Sequence, residues 1–276
     1  MDRVYADFAD SDPFMPYSGF IDHTAMGAEA LVGLGLGGKV DDWRARSRPR
    51  PFAAPVAGVD IEKDWQQALG RRETFGDWIA HFDRALAKRP FGDVLATWVP
   101  RLAHDPGALL FHGVIRTGHA TRALEHVDTP ARRRELARAL ALWTIGARGT
   151  PPETPASDAH LETMLDYARR GAAAYVRSPN IVALHSVTGP MGYMLLGKHL
   201  DAAAHRIAAA GFARSHGRLR DEDGAGEGPA PVFERAQIEA LARQRDVHAI
   251  KLTEAAFRAH QATGDPVFLR AAAEVL

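Results

Sequence analysis

What most constrains this chain is a pattern it lacks: the Val, Ile and Thr alternation of a β-strand is almost absent. Its long segments are dominated by alanine, leucine and arginine, all good helix formers. Helix starts are written into several of them. Thr129 followed by Pro130, and Asp105 followed by Pro106, each pair a capping side chain with a proline at the first helical position. The fold class read from this is all-α. Helices are predicted near 22–36, 74–88, 91–102, 106–126, 130–147, 157–177, 180–200, 201–216, 231–244, 246–262 and 265–275. Gly35-Leu36-Gly37-Gly38 should end the first, and Gly189-Pro190 should interrupt the segment 180–200, with Thr188 able to cap a second helix there.

A Pro/Arg-rich connector runs from Arg46 to Pro55, and two stronger breaks lie at Gly149–Pro155 and Asp221–Pro229. Histidines in apolar settings fall on both sides of both breaks. A single helical domain over 1–276 is therefore expected.

Composition excludes several kinds of chemistry. There is no cysteine, so disulfides and thiolate catalysis are ruled out and any metal must be held by histidine, carboxylate or similar ligands. Lys and Arg (34) balance Asp and Glu (34), which argues against a nucleic-acid partner or a strongly membrane-attracted surface. No stretch approaches the apolar length of a membrane span, and Met1–Asp7 lacks the basic-then-apolar form of a signal peptide, so a cytoplasmic location is the default. Gly33-Leu34-Gly35-Leu36-Gly37-Gly38 closes a helix and has no strand before it, so it is not a dinucleotide fingerprint. Walker A, His-Glu-x-x-His and Gly-x-Ser-x-Gly are absent.

Of 13 histidines, His81, His160, His199, His205, His216 and His260 sit among polar neighbours and read as surface or loop residues. His23, His112, His119, His185 and His248 lie in apolar, helix-like contexts. His248 and Lys251, three apart, share a helix face with Ala255, beside Val247, Ile250 and Leu252. A lysine is expensive to bury unless paired or chemically changed, and this chain has only Lys39, Lys63, Lys88, Lys198 and Lys251. Burial would supply a neutral amine, able to act as a base or to capture carbon dioxide as an anionic carbamate. The alternative is a surface lysine whose stem covers apolar neighbours.

In Leu109–Ala120, His112 and His119 are seven apart and can both face inward, with Arg116 four beyond His112 on the same side. Gly113 and Gly118 are poor helix residues, which suggests close approach by another helix or a ligand. His185 lies in the apolar run Ile181–Val187, just before Gly189-Pro190. His23, at a helix start in Ile21–Met26, has no local feature that selects it.

Four pieces, in order, resemble the questin oxidase-like family: His23-Thr-Ala-Met with Glu29-Ala-Leu; Phe111-His112-Gly-Val-Ile-Arg116; Leu184-His185-Ser-Val-Thr-Gly189; and His248-Ala-Ile-Lys251-Leu-Thr-Glu. The resemblance covers the chain from about residue 20 onward. It implies an all-helical bundle with an internal metal site and oxidative chemistry on anthraquinone-type rings. His23, His112, His185 and His248 would be the histidine ligands, with Lys251 as a carbamate ligand. Such a set suits Fe(II), with Mn or Zn as alternatives, and O2 as cosubstrate. His119 and Arg116 are the candidate catalytic residues; His119 stands either beside the ligands or in place of one. Arg116, Met191, Tyr193 and Trp143 are pocket candidates for a small aromatic substrate. The chain departs from the family in being shorter, and in having Arg116 where fungal members tend to have histidine.

Three functions follow as expectations. The first is a non-haem metal oxidoreductase using O2 on a polycyclic aromatic or quinone. The second is a metal-free Baeyer–Villiger-type oxidase supplied with NADPH, for which no nicotinamide motif is present. The third is a non-catalytic helical binding protein. No oligomeric state is implied.

Overall fold

A computed structural model describes residues 1–15, 20–46, 53, 56–149, 160–216, 229–244 and 246–276. Among them the chain is all-helical, with no strand and only isolated bridges at Ser11–Ala53 and Phe14–Ile21. The N-terminal part holds α1 (Asp2–Phe8), α2 (Thr24–Gly33), α3 (Val40–Arg46) and α4 (Trp65–Ala68). There follow α5 (Phe75–Lys88), α6 (Phe91–Leu102), α7 (His112–His126) and α8 (Pro130–Gly146). The remaining elements are α9 (Thr163–Arg177), α10 (Ile181–Met194), α11 (Ala202–His216), α12 (Arg235–Leu241), α13 (Val247–Thr263) and α14 (Pro266–Ala273). Most of the connector Arg46–Pro55, the span Thr150–Pro155 and the loop 221–228 lie outside the described residues, as do positions 157–159 of the predicted helix 157–177.

Local signals explain most boundaries. The Thr129 side chain accepts from Arg132 N–H at 3.3 Å with Pro130 next, the Asn180 side chain accepts from Val182 and Ala183 N–H at 3.0 Å, and Asp246 accepts from His248 N–H at 2.9 Å. Helix α2 ends where Gly35 turns to φ +73, a conformation that favours glycine. The short helix α1 has no strong sequence signal; Val4, Tyr5 and Phe8 are buried, and it packs on α8.

Several expectations are corrected. The predicted helix 106–126 begins only at His112. Asp105 does not cap it; its carboxylate accepts from Arg148 N–H at 3.0 Å. Leu109, Leu110 and Phe111 all adopt positive φ (51, 54 and 62), which reverses the chain just ahead of α7. Second, Gly189-Pro190 does not interrupt α10. Pro190 brings no N–H for the Ser186 carbonyl one turn back, and His216 Nε2 faces that oxygen at 3.0 Å instead. His216 is thus a buried residue joining α11 to α10, not a surface one, and Thr188 bonds to Leu184 C=O within the helix instead of capping a new one.

Small residues bring the central helices together. A side chain at Gly113 would enter the backbone of Trp143 on α8, and one at Gly118 would collide with the Gly192 carbonyl on α10. The two glycines of the predicted close approach therefore serve helix crossings. Helix α8 packs between α7 and α5, while α10 lies against α7, α9 and α13, and α2 lies against α7 and α13. Helices on either side of both sequence breaks thus share one packed interior.

Candidate metal centre

The starts of α2, α7 and α13, with the first turns of α10, converge on one point. Asp22 accepts from the Thr24 N–H at 3.1 Å and its hydroxyl at 2.7 Å, a local turn that leaves His23 as the residue capping α2. His112 is the first residue of α7, set there by the reversal at 109–111. His185 is one turn into α10, and His248 is the second residue of α13.

The four imidazoles form a closed ring. Centroids lie 4.6 Å apart for His23–His112, 4.6 Å for His112–His185, 5.3 Å for His185–His248 and 4.5 Å for His248–His23. One nitrogen from each lies within 4.8 Å of all the others, so this set can hold a metal ion.

The outer nitrogens set the tautomers. His112 Nδ1 meets the Leu109 carbonyl at 2.5 Å, and His185 Nδ1 meets the Ile181 carbonyl at 2.8 Å. His248 Nδ1 meets the Asp246 carboxylate at 3.1 Å. Those oxygens only accept, so each Nδ1 must carry the proton and each Nε2 presents a lone pair. Yet His112 Nε2 stands 2.5 Å from His23 Nε2 and 3.2 Å from His185 Nε2. Two lone pairs facing each other across 3.2 Å attract only if something electropositive lies between them. Backbone or carboxylate support on the outer nitrogen is also the usual arrangement behind a metal-bound histidine.

A proton is a poor candidate for that charge. Burial first, and then the Lys251 charge, push His112 down to about 3. The same causes hold His23 and His185 well below the ordinary imidazole value and lower His248. The N-terminal ends of α2, α7 and α13 add a positive potential that also disfavours imidazolium.

Lys251 is only 1 % exposed, and its Nζ has no hydrogen-bond partner. It is therefore not a surface lysine with a covering stem. Burial lowers it to about 7, against a raising influence from Asp246. Lys251 lies on α13 one turn after His248, and its charge opposes protonation of all four histidines. An unpartnered buried amine costs stability. The residues present thus fit a divalent metal held by four imidazole nitrogens.

His119 does not join the ring. Its Nδ1 meets Glu29 Oε2 at 2.5 Å, and Arg122 donates to the same carboxylate at 2.6 and 2.7 Å. Although burial raises it, these bonds hold the Glu29 carboxyl below its ordinary value. Arg122 also pairs with Glu254, which bonds Arg258 at 3.1 Å, and Arg258 donates to the Met191 carbonyl at 2.8 Å. This network joins α2, α7, α13 and α10, the same four helices that supply the histidines. Arg122 carries no local signal in the sequence, and the one pointer to Glu254 is an acid three residues past Lys251 on an apolar helix.

Arg116 makes a buried two-pronged pair with Glu135 of α8 at 2.6 and 2.9 Å, leaving Nη1 without a partner. Met191, Tyr193 and Trp143 are fully buried in the core, with the Tyr193 hydroxyl on the Ala204 carbonyl at 3.2 Å. No helix is long and apolar enough to cross a membrane among the described residues. No protein-family model and no curated protein matches this chain.

Proposed function

We propose that this protein is a non-haem, metal-dependent oxidoreductase, with iron in the histidine ring and O2 as cosubstrate, acting on a polycyclic aromatic or quinone-type metabolite. The observation that carries the reading is the inward-facing Nε2 set of His112 and His185, whose outer nitrogens are already committed to carbonyl oxygens. The donor chemistry and the likeness of the four histidine segments to the questin oxidase-like family support iron over a purely structural ion.

When bound, such a metal supplies one-electron exchange with O2 and Lewis acidity toward an oxygen of the substrate. The chain's own residues do the rest. Leu109 C=O, Ile181 C=O and Asp246 fix ring orientation and keep the inner nitrogens unprotonated. Lys251, as its carbamate, offers the one anionic oxygen of the set. We assign His119 and Arg116 positioning roles. His119 holds its Nδ1 proton on Glu29 and fixes α7 against α2, while Arg116 fixes α7 against α8.

The test is the metal content of protein purified without chelators or a histidine tag, followed by oxygen uptake with hydroxylated anthraquinones. About one iron per chain, lost in His112→Ala and His185→Ala with helical content retained, is the expected result. No bound metal, and no thermal shift on anaerobic addition of Fe(II), would overturn the reading.

A further inference from the structure

A cleft of about 340 Å³ opens between α4, α5 and α6. None of its lining residues belongs to α2, α7, α10 or α13, so the cleft is distinct from the histidine ring. Its wall is aromatic. Trp65 and Trp98 meet edge to face at 5.2 Å, and His81 lies 5.1 Å from Trp98.

Its rim is cationic. Arg84, Lys88, Arg89 and Arg101 line it, against Glu62 as the one carboxylate of the lining. Two of these cations are already engaged: Arg84 pairs with Asp60 at 2.9 Å, and Arg89 donates to the Thr97 hydroxyl at 2.9 Å. The other two, Lys88 and Arg101, make no ion pair among the described residues. The Arg101 guanidinium lies over Trp65 at 4.9 Å and Trp98 at 4.7 Å. Burial, with Arg89 nearby, lowers its affinity for its proton. A guanidinium partly stripped of water and without a counter-charge is a place where an anion is stabilised.

We propose that this cleft is a second binding site, for a small flat aromatic acid. The acid group pairs with Arg101 and Lys88, and the ring lies against Trp65 and the guanidinium plane. The volume is at the small end of ligand sites, roughly 300–1,000 Å³, and suits one compact ring system. A purely apolar ligand leaves the cations uncompensated, and a non-aromatic acid leaves the indole wall uncovered. The combination selects the class.

The probe is 2-naphthoate, titrated into the full chain and followed by tryptophan fluorescence and calorimetry, with 2-naphthamide and cyclohexanecarboxylate as controls. Saturable binding of 2-naphthoate is expected, weakened about tenfold or more by either control and by Arg101→Gln, less by Lys88→Gln. Arg101→Gln should still unfold cooperatively, its thermal midpoint lowered by no more than about a few degrees for the lost contacts with Trp65 and Trp98. Binding should be the same in chelator-treated protein, which separates this site from the metal reading. Undiminished binding in Arg101→Gln, or no saturable binding up to the solubility of the probe, would overturn the proposal. So would loss of binding on chelation with no effect of Arg101→Gln, which would move the ligand to the histidine ring.

Discussion

His23 and His112 are 89 residues apart in the chain, and their Nε2 atoms stand 2.5 Å apart in the fold. No hydrogen bond explains the wider pairing of His112 with His185, whose inner nitrogens both present lone pairs. The four histidines can hold a metal ion, and this sets the first expectation. Removing metal with a chelator should lower the unfolding temperature, since ligand at about 1,000 times its Kd contributes roughly 4 kcal/mol. The same chelator should leave the unfolding temperature of His185→Ala nearly unchanged. Calorimetric scans of both proteins, with and without chelator, check it.

Lys251 gives a pH signature in metal-free, CO2-depleted protein. Its folded value of about 7 lies below the ordinary lysine value of 10.5, so between these the unfolded chain binds the extra proton. Stability therefore rises with pH across that window, is fully gained above 10.5 and is lost as pH falls toward 7. A tenfold difference in proton affinity between the folded and unfolded chain is worth about 1.4 kcal/mol, so the swing amounts to a few kcal/mol. Lys251→Met should flatten the profile, as read by urea unfolding from pH 7 to 10. In the metal-loaded protein, Lys251→Glu should retain more metal than Lys251→Ala.

The histidines give the opposite end of the profile. With His112 lowered to about 3, metal-free protein should lose stability as pH falls from 6.5 toward 3, because the unfolded chain takes up the proton first. His112→Asn should reduce this acid lability. Circular dichroism at stepped pH values checks it.

The crossing of α7 and α10 has no room for a methyl group, since Gly118 meets the Gly192 carbonyl. Gly118→Ala is expected to destabilise by about 1–3 kcal/mol despite the better helix propensity of alanine. Because His112 and His185 sit on those two helices, metal affinity should fall as well. Chemical unfolding and metal titration are the two readouts.

The charged network beside the ring should behave as a clamp. Arg122→Met leaves Glu29 and Glu254 buried without their shared partner, which is expected to cost about 3–5 kcal/mol. Restoring a positive charge with Arg122→Lys should recover only part of it, since lysine lacks the planar fork. Urea unfolding of both variants checks the order.

The helical class, most helix ends and the apolar, helix-like settings of His112, His119, His185 and His248 are legible in the sequence, because periodicity and capping act within a few residues. Asp246, Asn180 and Thr129 each satisfy N–H groups two or three positions away. Tertiary structure decided what local rules contradict. The reversal at Leu109–Phe111 delays α7 until His112. Helix α10 continues through Pro190, and the Ser186 carbonyl that the proline cannot serve faces His216, 30 residues away. The meeting of the four histidines depends on glycines that admit neighbouring backbones and on a charge network drawn from four helices. Those contacts join residues far apart in the chain, so their energy exists only once the helices have packed. That is why His23, ordinary in its own segment, becomes part of the ring only in the fold.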